Sequence, residues 1–397
     1  MPQLSSRAIA FPSSPIRKLA ASAEAAKKRG TRVFHLNIGQ PDIETPLEFF
    51  QAIERAKLKV LEYSASPGLP GLRQAIADYY DRLGYPLEMA QVIVTTGASE
   101  AISFAFSAVL NPGDEVIVPE PYYANYSAFA MQTDAHIVPL ATSIQDSFAL
   151  PEVEAFRAKI TPRTKAIMIC NPGNPTGVLY PRESLEKLKQ VCLEHDLYLI
   201  SDEVYREFTY DGLKHHSVLG LTDLDQHSIV VDSISKRFSA CGARIGCVIT
   251  RNEALLGAIN KFAQARLSPP TLGQIGAQAV YQLPETYYES VNREYAARRN
   301  TLKAALDAIP GVECPEINGA FYAMVGLPIE DADHFCKWIL DEFQFEGQTV
   351  MMAPGPGFYA SPNAGRNQVR IAYVLQQDDL QTAMKVLKEA LAAYSAR

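Results

Sequence analysis

Between residues 91 and 250 short apolar runs alternate with amphipathic stretches, and this alternation constrains the fold more than any other feature of the chain. QVIVTTG (91–97), DEVIVPEP (114–121), AHIVPL (135–140), TKAIMICNP (164–172), LYLISDEVY (197–205), SIVVDSIS (228–235) and RIGCVIT (244–250) each read as strands. Between them ASEAISFAFSAVL (98–110), PEVEAFRAKI (151–160) and RESLEKLKQVCLEHD (182–196) carry helical periodicity. Near-continuous apolar strands must be covered on both faces, so the expected class is α/β, a mostly parallel sheet sandwiched by helices.

From about residue 281 the texture changes. ETYYESVNREYAARRNTLKAALDAI (285–309) reads as a long amphipathic helix, followed by strands in AFYAMVGL, VMMAPG and QVRIAYVL and by helices at 331–344 and 377–394. This pattern describes a smaller α+β domain, which the N-terminal forty-odd residues join. A length of 397 residues suits two lobes at about 150 residues or more each. The expected division is 46–280 for the large lobe, and 1–45 with 281–397 for the small one.

The net charge of −7 supplies no basic face for a phosphate backbone or anionic lipid, so neither a nucleic-acid partner nor a membrane is expected. The opening MPQLSSRAIAFPSSPIRKLA lacks an apolar core of signal length, and no later run is long enough for a membrane span; a soluble, cytoplasmic protein is expected. Cysteines 170, 192, 241, 247, 314 and 336 form no CxxC pair and read as buried free thiols, with no metal site. KHH at 214–216 lies beside a DG turn and reads as solvated loop.

Ligands of such a sheet bind beyond the carboxyl ends of its strands, where Gly97, Asn171, Asp202 and Ser233 fall. In VDSISKRFSACGARIG (231–246), Lys236 and Arg244 stand among small residues that admit a ligand closely. An arginine offers a planar fork to phosphate. The amides of Ala98 and Ser99 open a helix whose positive end suits the same anion, although a serine there also serves as a cap. NPGNPTG (171–177) presents the Asn174 amide from a stiff loop. Asp202, ending an apolar strand, is either a turn residue or a carboxylate with a partner, and a protonated ring nitrogen is one such partner.

These segments, in this order, resemble the class I aminotransferases of the aspartate aminotransferase superfamily, fold type I enzymes that depend on pyridoxal phosphate. The resemblance runs from NIGQPD (37–42) to VRIAYVL (369–375). It implies a seven-stranded-type sheet and a role for each residue. Lys236 bonds the cofactor aldehyde and shuttles the proton of the substrate Cα; Asp202 pairs with the ring nitrogen; Asn174 and Tyr205 bind the phenolic oxygen. Ser233, Arg244, Ser99 and the Ala98 amide hold the phosphate, and Tyr123 in PEPYYANY stacks on the ring. Tyr63 in YSASPGLPGLRQAI reaches into the neighbouring subunit's site, which implies a homodimer. Arg370 clamps the substrate α-carboxylate, with Asn174 and the N–H of Gly39 beside it.

The chain departs from the family pattern at Ala243, where a bulky aromatic usually precedes the arginine, and in extra residues before the arginine strand, from which Phe358, Tyr359 or Asn363 line the substrate entrance. Aspartate-specific relatives use a further cation against the distal carboxylate; Arg266 in QARLSPP is the candidate and Arg237 a weaker one, both otherwise reading as surface charge. The function implied is transfer of an amino group from an L-amino acid to a 2-oxo acid, with aspartate or glutamate and 2-oxoglutarate favoured. The alternative is a lyase or decarboxylase using the same cofactor, because the pocket decides which bond breaks. A non-catalytic sensor is disfavoured by the acidic net charge and the retained Lys236.

Overall fold

A computed structural model describes residues 2–12 and 14–396. Strand β1 (Arg32–His35) lies outside the main sheet. Seven strands then build that sheet: β2 (Val92–Thr95), β3 (Glu115–Glu120), β4 (His136–Ala141), β5 (Thr164–Cys170), β6 (Tyr198–Asp202), β7 (Ser228–Ser233) and β8 (Gly246–Ile249). Their spatial order is β2-β8-β7-β6-β5-β3-β4, and only β8 runs against its neighbours.

The apolar runs are explained by coverage on both sides. Val116, Val118, Met168, Ile200 and Val231 enter one packed core, whereas Ile117, Ile167, Ile169, Leu199 and Val230 enter another. A strand whose alternate residues both face apolar neighbours has no polar side to display, which is why these segments are continuously hydrophobic.

The helix Gly97–Val109 begins directly after β2, with Gly97 at φ +73°. The Glu100 carboxylate accepts the Thr96 N–H at 2.7 Å, placing an acid in the positive first turn. Helix Val153–Arg157 is shorter than the periodicity over 151–160 suggests; the chain turns at Ala158–Ile160 ahead of Pro162, whose ring disfavours helix in the preceding residue.

Strands β9 (Tyr322–Gly326), β10 (Gln348–Met351), β11 (Ala353–Pro354) and β12 (Gln368–Ala372) follow the long helix Glu285–Asp307. The order β11-β12-β9 is antiparallel, while β10 pairs in parallel with β1. The N-terminal segment thus lies against the C-terminal third, and Arg298 reinforces the contact by donating to Asp42 at 2.6 Å. No helix among the described residues is long and apolar enough to cross a membrane.

Candidate active site

The carboxyl ends of β5, β6 and β7 open onto a cavity of about 640 Å³ that also receives the start of helix Gly97–Val109 and residues from the N-terminal segment and β12. Lys236, Asp202, Asn174, Tyr205 and Arg370 all line it. So do Gly39, Ala98, Ser99, Tyr123, Ser233 and Arg244. Residues separated by more than 300 positions are thereby gathered around one space.

Lys236 sits in the short helix Ile234–Arg237 that follows β7. Its Nζ donates to the Gly39 carbonyl at 2.8 Å and lies 3.9 Å from Cys241 Sγ. Gly39 packs closely on Tyr322: a Cβ there would fall 1.7 Å from the tyrosine hydroxyl, so any larger residue would push that ring from its place.

Asp202, at the end of β6, is buried. Its Oδ2 accepts the Tyr126 hydroxyl at 2.7 Å and its Oδ1 the Val204 N–H at 3.3 Å. Burial raises this carboxyl from 3.8 to about 6, the Tyr126 hydrogen bond opposing the rise. A cation facing it would reverse that cost.

Asn174 links two parts of the wall. Its Nδ2 donates to the Tyr205 hydroxyl at 3.3 Å, and its Oδ1 accepts Arg370 Nη1 at 3.0 Å. Tyr205 and Tyr322 share a hydrogen bond of 3.1 Å between hydroxyls, and burial pushes the Tyr205 phenol well above its usual value. Arg370 also donates to the Asn37 carbonyl, and its guanidinium lies between the rings of Tyr322 (4.5 Å) and Phe358 (4.9 Å). It has no carboxylate partner among the described residues, so a buried fork of donors faces the cavity with its charge unmatched.

Arg244 occupies the left-handed region (φ +54°) and directs Nη2 over the start of helix Gly97–Val109, where a Cβ on Gly97 would meet that atom at 2.4 Å. Among the described residues its hydrogen-bond partners are carbonyls, those of Cys241 at 3.0 Å and Thr96 at 3.4 Å. Nearby, the Ser233 hydroxyl donates to Ile245 O at 2.9 Å and bonds Ser235 Oγ at 2.8 Å. Guanidinium, helix amides and hydroxyls around a position that only glycine leaves open form a cradle for a phosphate group. A ring cation partner in Asp202 and an amine in Lys236 complete a donor set that fits a phosphorylated pyridine aldehyde.

Tyr123 reaches the cavity, its hydroxyl held by Asn125 Nδ2 at 2.8 Å; burial raises its phenol to about 12. Tyr63 does not line the cavity and is 78% exposed. Ser99 is not the cap of its helix, because Thr96 holds that position.

Several expectations are corrected. Arg266 does not join the site: Nη1 is paired with Glu100 at 2.8 Å and Nη2 donates to the Ser66 carbonyl at 3.0 Å, which commits the guanidinium to holding the chain around β2. Arg237 is not surface charge but fully buried, donating to both oxygens of Asp232. Phe358, Tyr359 and Asn363 line no part of the cavity; Phe358 instead packs behind Arg370. The side chain of His215 is not solvated, lying 3.8 Å from Glu203, and burial pushes its ring well below the usual histidine range. Of the cysteines, Cys241 is only partly buried and faces the cavity.

Sequence reasoning misses Tyr126, which bonds Asp202, and Ser235 and Tyr322, which line the cavity, although Tyr126 lies three residues after Tyr123 and Ser235 adjoins Lys236. Tyr322 carried no local signal, since its position in β9 resembles any other core aromatic. Arg17 also lines the cavity.

The family described as "Aminotransferase class I and II" matches residues 31–387. An aspartate aminotransferase of Bacillus subtilis is 32% identical over 99% of this chain and 100% of its own length. Among solved structures, a mutant aspartate aminotransferase of Thermus thermophilus superposes with a TM-score of 0.90 at 31% identity, covering 98% of this chain and 100% of that one. An alanine aminotransferase from Pyrococcus furiosus gives the same TM-score, identity and coverage. With a match that spans nearly the whole sequence and the cavity its residues build, this chain belongs to the class I and II aminotransferase family.

Proposed function

We propose that this transaminase uses pyridoxal phosphate in the cavity around Lys236 to move an amino group from a dicarboxylic L-amino acid to a 2-oxo acid. The observation that carries the reading is the meeting of Lys236, Asp202, Arg370 and the Arg244 cradle around one space. When bound, the cofactor supplies an aldehyde that condenses with amines and a ring that draws electrons from the substrate Cα.

The chain's own residues account for the rest. Lys236 would hold the cofactor through its amine and, with that amine free, would serve as the base for the substrate Cα proton. Asp202 keeps a proton on the ring nitrogen, a partnership that offsets the burial of its charge. Arg244, Ser233, Ser99 and the Ala98 amide hold the phosphate, Asn174 and Tyr205 the phenolic oxygen, and Tyr123 the ring face. Arg370, with Asn174 and Gly39 beside it, orients the α-carboxylate so that the Cα–H bond meets the amine. Residues 46–280 form the cofactor lobe, and 1–45 with 281–397 the lobe that brings Arg370 to it.

Selection of dicarboxylic substrates rests on Arg17. This exposed residue lines the cavity and its guanidinium has no partner among the described residues, whereas the adjacent Lys18 is tied to Asp333. The segment is held in place: Asn37 Nδ2 donates to the Ile16 carbonyl at 2.8 Å, and Pro15 packs on Gly357. A cation aimed at the substrate from a pinned turn suits a second carboxylate.

The working unit is a homodimer in the cytoplasm, with Tyr63 donated to the partner's phosphate. Its exposure, shared with Leu47, Phe50 and Leu61 in the same stretch of chain, supports an interface there.

The test has two parts. Borohydride reduction of the cofactor-loaded protein followed by peptide mapping should label residue 236. A donor panel against 2-oxoglutarate should show aspartate turned over fastest, and glutamate should be a comparable donor against oxaloacetate; release of ammonia with a 2-oxo acid, or of carbon dioxide, in place of a new amino acid would identify a lyase or decarboxylase.

A further inference from the structure

The four-residue helix that carries Lys236 is too short to hold itself by its own hydrogen bonds. Successive residues on a helix point about 100° apart, so Lys236 and Arg237 leave it in different directions, one into the cavity and the other beneath it. Arg237 Nη2 reaches back to Asp232, at 2.9 Å from Oδ1 and 2.7 Å from Oδ2. Asp232 Oδ1 also accepts the Ser233 N–H at 2.7 Å, and Oδ2 accepts the Tyr80 hydroxyl at 3.0 Å. The guanidinium lies 4.6 Å from the centre of the Tyr79 ring. The turn from Ser233 to Lys236 is therefore closed from below and tied to helix Pro70–Arg82, which supplies both tyrosines.

Stability alone does not call for a charged pair at this place. Asp232 and Arg237 are both almost wholly buried, and Arg237 Nε and Nη1 have no hydrogen-bond partner among the described residues. A buried ion pair so incompletely satisfied is commonly matched or bettered in stability by neutral side chains of similar volume. What it offers instead is direction, because charge-assisted bonds from one guanidinium nitrogen to both carboxylate oxygens fix the arginine tip at a place that apolar packing leaves free.

We propose that Arg237 and Asp232 are positioning residues, a strut beneath the active site that sets where the Lys236 amine stands relative to the Ser233 and Arg244 cradle. Neither side chain touches the cavity; both act through their covalent neighbours. The proposal rests on Lys236 being the residue that bonds the cofactor, and the borohydride label on residue 236 checks that reading separately.

The experiment compares wild type with the double variant Asp232→Asn/Arg237→Met, which removes both charges while keeping volume and the acceptor for the Ser233 N–H, the introduced amide NH2 donating to the Tyr80 hydroxyl in place of the bond Oδ2 accepts. Both proteins are loaded with pyridoxal phosphate. The expected result is thermal stability within a few degrees of wild type, kcat lowered about 10- to 100-fold, the scale of a roughly 1 Å misplacement, and a donor KM changed less than about threefold. The induced circular dichroism of the bound cofactor, which reports how the ring is held, should also change. A folded double variant with wild-type kcat and an unaltered dichroism band overturns the strut. If the double variant does not fold, Arg237→Lys decides: its ammonium ends one bond short of the Nη2 position, so pairing with Asp232 draws the turn that carries Lys236 toward the carboxylate, and a lowered kcat at unchanged KM supports the proposal while wild-type kcat overturns it.

Discussion

Arg370 donates Nη1 to Asn174 Oδ1 at 3.0 Å, joining the arginine of β12 to the loop after β5. The group proposed to hold the substrate carboxylate and the group proposed to hold the cofactor's phenolic oxygen are thus one hydrogen-bonded unit. Arg370→Lys keeps the charge but loses the fork. The expected outcome is a loss of about 100-fold in kcat/KM for every amino donor, on the scale of one or two charge-assisted hydrogen bonds. Steady-state kinetics across charged and uncharged donors checks it; a loss confined to one donor class would contradict the assignment.

Asp202 should leave a pH signature in the cofactor-free protein. Its folded-state value, raised from 3.8 to about 6 by burial, means that the protonated carboxyl fits the fold better than the carboxylate. The associated stability is fully present below pH 3.8 and is lost as pH rises through about 6, a change of about 3 kcal/mol. Asp202→Asn lacks this loss, so its advantage over wild type in urea unfolding should grow from about pH 4 to 7. Parallel stability curves would refute the cause given. The same variant, once loaded, should be severely impaired in turnover.

Gly97→Ala would set a methyl group 2.4 Å from Arg244 Nη2 at a backbone angle of +73°. The arginine tip can move aside, but only out of the cradle. Stability should fall by at least about 1 kcal/mol, and affinity for pyridoxal phosphate, read by absorbance titration, should fall with it. Wild-type cofactor affinity in a folded variant would place the phosphate elsewhere.

Arg17→Met separates substrate selection from catalysis. Its kcat/KM for aspartate and glutamate should drop about 10- to 100-fold, while alanine remains within about twofold. Titration with a non-reactive dicarboxylate such as succinate should show the same weakening without turnover. An equal effect on all donors would remove Arg17 from specificity.

The strands were legible because both faces of the sheet are covered, which writes burial into every position of runs such as 166–170. The candidate site was legible where chemistry sits at strand ends: Asp202 closes β6 and Ser233 closes β7. Charged side chains misled, since charge type does not encode depth. Arg237 and Arg266 have similar local surroundings in sequence to solvated arginines, yet one is buried on Asp232 and the other paired with Glu100. Those partners lie 5 and 166 residues away, and only the folded topology decides which contact forms. Arg17 was invisible for the converse reason: its place at the cavity depends on β1 pairing with β10, a contact between opposite ends of the chain.

The single reversed strand has a consequence for how the protein tolerates change. Because β8 runs backwards, it starts at the same rim where β7 stops, and Ser233 stands directly across from Gly246. The twelve residues between them leave that rim and return to it, so Lys236 and Arg244 ride on a single closed handle. Lengthening or shortening that handle by one residue would displace both together, whereas the connection from β6 to the adjacent, parallel β7 returns to the opposite rim of the sheet and carries neither.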